Sequence, residues 1–310
     1  MSIFNKKTPI VKASTFKTLK EKVFPPVSSY IEPRILPYGS TLGLYGDSKV
    51  GKSFLLLNMA RALGTGENLY DIKEMPTKEC KVLLVEQEVG EISLQDRVSR
   101  ICHKINPQKL HDNLFYVSRI PEIQLDTNEG QHIIKELLDE VRPNVLILDP
   151  IGKLHGYEEN SNSQIGDLFK TFEEFKKLNP DDNLSIVYSH HTRKPTGFIP
   201  GAPPIDALDP HKARGSSRWF SDPDTIITTE RVDTQKNPWE KWKVRMRIIL
   251  RHGGGPDDFV VKVNWDQFEN WNDGDLRVKY FTDLGAVKPL FPQKTPPPPP
   301  PTQSPLLFRL

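Results

Sequence analysis

The run Gly46-Asp47-Ser48-Lys49-Val50-Gly51-Lys52-Ser53 has the residue types and spacing needed to hold a chain of phosphates. Such a ligand requires many converging N–H donors and one mobile positive charge. Gly46 and Gly51 let the backbone turn tightly with its amides inward, Lys52 is placed to reach the outer phosphates, and Ser53 brings a hydroxyl to Mg²⁺. The context suits this chemistry. Thr41-Leu42-Gly43-Leu44-Tyr45 enters the turn as a short strand, and Gly51 to Leu63 leaves it as a helix whose dipole is positive at the loop.

Splitting a bound phosphate also requires acids. Val145-Leu146-Ile147-Leu148-Asp149 places Asp149 at the end of an apolar strand, the position for a second carboxylate beside the magnesium ion. A group that orients water is expected at the end of another strand, Val82-Leu83-Leu84-Val85. Glu86 and Glu88 both lie there, two apart and so on one side if the chain stays extended, and Glu88 is the choice. Ser189-His190-His191-Thr192-Arg193 closes a fourth strand with polar groups able to contact a terminal phosphate. Two adjacent histidines with no cysteine or third histidine nearby argue against zinc.

These residues need a frame. Short apolar strands at Lys81–Val85, Asn113–Ser118, Asn144–Leu148 and Leu184–Tyr188 alternate with helical stretches at Ile92–Ile105, Gln131–Val141 and Gln164–Leu178. Strand–helix alternation predicts an α/β fold with a mostly parallel sheet covered on both faces. After a polar loop, Thr192–Ala213, the pattern becomes strand-like at Thr225–Val232, Lys241–Arg251 and Phe259–Val263, without long helices between. These strands are expected to extend the sheet in antiparallel fashion. Lys241 to Ile248 alternates cleanly, with Trp, Val, Met and Ile on one face and Lys and Arg on the other.

The expected organisation is an N-terminal strap (1–38), an ATPase domain (39–265), a C-terminal extension (266–290) and a proline-rich, disordered tail (291–310). The unbroken Pro296–Pro301 in that tail should form polyproline helix. With 42 basic and 40 acidic residues, net charge says nothing about nucleic acid, so that case rests on local patches. Cys80 and Cys102 form no disulfide framework. No apolar run is long enough to span a bilayer and no signal-peptide core opens the chain, so the expectation is a cytoplasmic protein without a membrane partner.

The order of these motifs over about residues 20–265 resembles the RecA-like ATPase superfamily. It is most similar to the branch of RepA-type plasmid helicases and mobile-element ATPases, near the DnaB-type helicases and KaiC-like proteins. The resemblance implies ATP and Mg²⁺ as cofactors, with Lys52 and Ser53 as phosphate lysine and magnesium hydroxyl. It implies Glu88 as catalytic glutamate, Asp149 as second acid and His190 as sensor. It also implies a homo-oligomeric ring, a hexamer, acting on single-stranded DNA through Arg193, Lys194, Lys212 and Arg214 of the polar loop. Arg251, before His252-Gly253, would supply a cation to the neighbouring subunit, although Ile249 replaces the lysine expected two residues earlier. A separate primase or replication protein would join through the tail. Two other functions share this core: a strand-exchange filament, for which Val11–Phe24 is a poor joining segment, and a regulatory ATPase acting on proteins.

Overall fold

The computed structural model describes residues 13–24, 26–102, 105–179, 181, 183–192, 206, 208–210, 215–232, 242–251, 253–263 and 278–281. The chain opens with α1 (Phe16–Glu21), capped by the Thr15 hydroxyl, and a small antiparallel pair, β1 (Ser29–Ile31) and β2 (Leu36–Pro37). Then come β3 (Thr41–Gly46), α2 (Lys52–Thr65), β4 (Val82–Glu86), α3 (Glu91–Ile101), α4 (Pro107–Asn113) and β5 (Leu114–Ser118). They are followed by α5 (Asn128–Val141), β6 (Val145–Asp149), α6 (Asn162–Leu178), β7 (Ser185–His191) and the single turn α7 (Arg218–Ser221). The last strands are β8 (Thr225–Arg231), β9 (Trp242–Leu250), β10 (Phe259–Val263) and β11 (Val278–Phe281).

Nine of these strands form one sheet in the order β11-β10-β9-β8-β3-β7-β6-β4-β5. From β8 to β5 every pairing is parallel, and from β8 to β11 every pairing is antiparallel. The fold is therefore α/β, with a mostly parallel central sheet extended by antiparallel strands. Strand parity sorts the core into two clusters. Leu44, Val82, Leu84, Val145, Ile147 and Val187 pack with α2, whereas Tyr45, Leu83, Leu146, Leu148, Ile186 and Tyr188 pack with α5 and α6. The helices on the second face start at Asn128 and Asn162, before the expected Gln131 and Gln164, because Thr127 caps α5 and Ser161 caps α6 through their hydroxyls.

The strap expected over 1–38 is not wholly separate. Tyr30, Ile31, Ile35 and Leu36 are buried in the same cluster as α2. The polar loop and the proline tail lie almost wholly outside the described residues. Among those described, no helix is long and apolar enough to cross a membrane.

Candidate active site

The phosphate loop joins β3 to α2. Its two ends are fixed by backbone geometry. Gly46 lies so close to Val50 and Thr229 that a Cβ there would collide with both, and Gly51 sits at φ 99, in the left-handed region. Gly51 is the N-cap of α2, and no side chain caps that end, so its first amides face the loop's hollow. Lys52 is buried. Its ammonium donates to the carbonyls of Gly46 and Asp47 at 2.9 and 3.0 Å and lies 3.2 Å from His191 Nδ1. Burial pushes the Lys52 pKa down to about 8, against the opposing pull of Asp149, Glu88 and Asp47.

Two carboxylates stand side by side where β4 and β6 end, because Glu86 and Asp149 are register partners on the α2 face. Asp149 is 2% exposed and accepts hydrogen bonds from the hydroxyls of Ser189 and Ser53. Its pKa is raised by burial, with the Glu88 charge adding to the effect and Lys52 opposing it. Glu86 is fully buried and its pKa is pushed up to about 7 by burial and then by the Asp149 charge. One Glu86 oxygen accepts the backbone N–H groups of Glu88 and Val89 at 2.7 and 3.1 Å, and the other is buried without a partner. Glu86 thus shapes the turn that carries Glu88. Arg119 holds the turn from outside, donating to the Glu88 carbonyl at 2.8 and 3.2 Å. The Glu88 side chain is exposed, and its charge acts on both Lys52 and Asp149.

This donor set suits Mg²⁺. Ser53, Ser189 and Asp149 offer hard oxygens, and the unpartnered Glu86 oxygen lies beside them. The loop, with uncapped helix amides and a buried lysine, suits a polyphosphate.

The structure brings Gly46–Ser53, Asp149 and Glu88 together, but His190 faces elsewhere. Position 190 has the parity of Ile186 and Tyr188, which puts it on the α6 face. There its ring stacks on Trp219 at 4.2 Å and 24°. Ser189 and His191 have the other parity and meet Asp149 and Lys52. Counting in twos from Val187 would have selected them from the sequence.

Arg251, expected to serve a neighbouring subunit, stands apart from this chain's own site. It follows β9 at the opposite end of the sheet, donates to the carbonyls of Ser221 and Asp222 at 2.7 Å, and pairs with Asp224 at 3.2 Å. A guanidinium used in this way braces its own chain. Arg193, Lys194, Lys212 and Arg214 lie outside the described residues. The flanks of that loop are described. Thr192 bonds the phosphate loop through its N–H to Gly46 O and its hydroxyl to Asp47, and Ser216 N donates to Glu159 O at 2.7 Å.

With this geometry in hand, comparison with known families is decisive. Residues 7–197, more than half of the chain, match the family described as AAA domain. The chain belongs to that family. It is a P-loop ATPase of the AAA-domain kind, and the AAA domain implies nucleotide binding. Among solved structures, the crystal structure of flagellar accessory protein FlaH from Methanocaldococcus jannaschii is similar. It has a TM-score of 0.49 and 15% identity, over 79% of this chain and 91% of that one. In this AAA-domain ATPase the matched stretch contains the phosphate loop, Glu86, Glu88, Asp149, His190 and His191, and ends within the polar loop.

Proposed function

We propose that this ATPase is a ring-forming motor, a hexamer, that acts on single-stranded DNA as a helicase in the replication of a plasmid, phage or mobile element. Lys52 and the α2 amides would hold the β- and γ-phosphates of ATP, and Ser53 and Asp149 would hold Mg²⁺. Bound magnesium supplies neutralising charge to those phosphates. Glu88, on a turn fixed by Glu86 and Arg119, would orient the attacking water.

The observation that carries the DNA reading is the way the polar loop is tied down. One flank, Thr192, bonds the phosphate loop, and the other, Ser216, bonds Glu159 in the segment after Asp149. A change at the phosphates would therefore be felt at the Thr192 end of the stretch that carries Arg193, Lys194, Lys212 and Arg214.

The test is ATP hydrolysis by the purified chain with and without single-stranded DNA, at two salt concentrations. Stimulation of about tenfold or more that fades at high salt is expected, because phosphate contacts release counterions. Hydrolysis indifferent to DNA would overturn the DNA reading and leave the ATPase standing. Glu88→Gln is expected to keep ATP binding and lose about a hundredfold or more in turnover. Full turnover in that variant would move the water-orienting role to Glu86.

A further inference from the structure

The strands that present the phosphate loop and the Ser189 and His191 side chains also have a reverse face. Tyr45 comes directly before Gly46 on β3, and His190 stands between Ser189 and His191 on β7. The two are register partners, each 1% exposed, and both lie on the α6 face. They meet at one residue, Trp219 of α7. The Tyr45 hydroxyl donates to the Trp219 carbonyl, and the His190 ring stacks on the indole at 4.2 Å and 24°. His155, in the segment after Asp149, brings a second imidazole within 6.1 Å of the indole, inclined by 27°. Tyr188 and Phe169 complete the surround at 5.6 and 5.7 Å.

Local forces do not account for this placement. α7 has four residues, and a helix so short does not offset its nucleation cost alone. Trp219 is fully buried, yet its indole N–H has no hydrogen-bond partner. A buried unmet donor costs stability, and a phenylalanine in the same space would avoid that cost. What the indole adds is a broad flat face for the His190 ring.

α7 is also where the polar loop ends. The Trp219 N–H donates to the Ser216 carbonyl at 3.3 Å, and the Ser216 N–H donates to the Glu159 carbonyl at 2.7 Å. Gly215, at φ 98, lies so close to that Glu159 carbonyl that a Cβ there would collide with it. Thr192 ties one flank of the loop to the phosphate loop directly, and the Ser216 flank meets the same strand ends through Trp219.

We propose that Trp219 is a positioning residue for ATP hydrolysis: from the reverse face of the sheet it fixes the ends of β3 and β7, and it joins them to the C-terminal flank of the polar loop. A close-packed interior has no slack and transmits small shifts. A movement of Ser189 or His191 toward a bound phosphate carries His190 with it, and the stacked indole carries α7 and Ser216. His190 then acts through Trp219 without touching a phosphate. The inference deepens the proposed function and rests on its ATP chemistry alone.

Trp219→Leu removes the flat face, and Trp219→Phe keeps it. Each variant is assayed in the full chain with Mg²⁺ and ATP and without DNA, and turnover is expressed per nucleotide-binding site so that unfolded chains do not count. The leucine variant should lose about tenfold in kcat with KM for ATP within about threefold of the parent. A small misplacement near the chemistry is costly, while Lys52 and the α2 amides stay in place. The phenylalanine variant should keep kcat within about threefold of the parent. Parental kcat in the leucine variant would overturn the positioning role. Equal losses in both variants would overturn the ring stack as its basis.

A second measurement does not depend on the leucine variant folding. Subtracting the emission spectrum of Trp219→Phe from that of the parent separates the Trp219 indole from Trp239, Trp242, Trp265 and Trp271. Emission from an indole responds to the ring stacked on it. The difference spectrum should therefore change when Mg²⁺ and a non-hydrolysable ATP analogue are added, and should differ again with ADP. The same difference spectrum without nucleotide, with the analogue and with ADP would overturn the link between the phosphates and Trp219. Neither measurement uses DNA, so both can fail or succeed separately from the DNA-stimulation test.

Discussion

Two groups of acids in this molecule are treated in opposite ways. Glu86 and Asp149 meet at the ends of β4 and β6 with little cationic support, and burial raises both pKa values. On the antiparallel half, Asp206, Asp258 and Glu230 meet a pair of arginines. Arg247 reaches Asp206 at 2.6 Å and Asp258 at 2.7 Å, and Arg245 reaches Glu230 at 2.6 Å. There the Arg247 hydrogen bond lowers the Asp206 pKa. The second group is neutralised within the chain and can only brace it. The first is left short of positive charge, which costs stability and leaves affinity for a cation and its phosphates.

Lys52→Ala would break this contrast most severely. It removes the cation that serves the first group, and ATP turnover measured by phosphate release should fall about a thousandfold. Turnover within a few-fold of the parent would show that the acids and the lysine do not form one site.

Glu86→Gln sharpens the contrast through pH. The folded pKa of Glu86, about 7, lies above the ordinary 4.5, so the folded chain holds this proton more tightly than the unfolded chain. Its contribution to stability is fully present below about 4.5 and lost as pH rises through 7. The amide removes that loss, so the variant should gain on the order of 3 kcal/mol relative to the parent between pH 4.5 and 7.5. Urea unfolding at the two pH values measures this, and parallel curves for the two proteins would show that Glu86 is not held protonated.

Arg247→Ala has the smallest expected effect. Its ion pairs are partly exposed and screened, so the loss should be about 1 kcal/mol, less in high salt, with ATP turnover unchanged. A large loss of turnover would mean that the antiparallel half takes part in the chemistry.

Much of this was legible in the residues. The phosphate loop, the buried strands and the change from parallel to antiparallel pairing follow from glycine spacing, apolar runs and the disappearance of helical periodicity. The boundaries agree within a few residues; for instance, the helix expected at Gln164–Leu178 spans Asn162–Leu178. The helix expected at Ile92–Ile105 stops at Ile101, and α4 begins again at Pro107. Asn106 followed by Pro107 is an N-cap and first-turn signal that marks this second start. β11 (Val278–Phe281) follows its partner β10 across a polar stretch and is too short to show a pattern of its own. The roles within Ser189–His191 depend on which sheet face each residue takes. Composition at the strand end is blind to that, and only parity along the whole strand reveals it. For Arg251, the sequence shows a cation but not Asp224 and the α7 carbonyls that hold it, because those partners are set by tertiary structure.

The close approach at Gly46 also has a consequence for inheritance. The Thr229 hydroxyl donates to the Tyr45 carbonyl and its side chain fills the space where a Cβ at position 46 would stand. Thr229 belongs to β8, on which the antiparallel half is built. A lineage that placed a side chain at 46 would first have to lose the one at 229, and an intermediate bearing both would clash inside the nucleotide site. The two positions can therefore drift only in one order. Even after that loss Val50 would still crowd a side chain at 46, so the second step would need the loop to give as well.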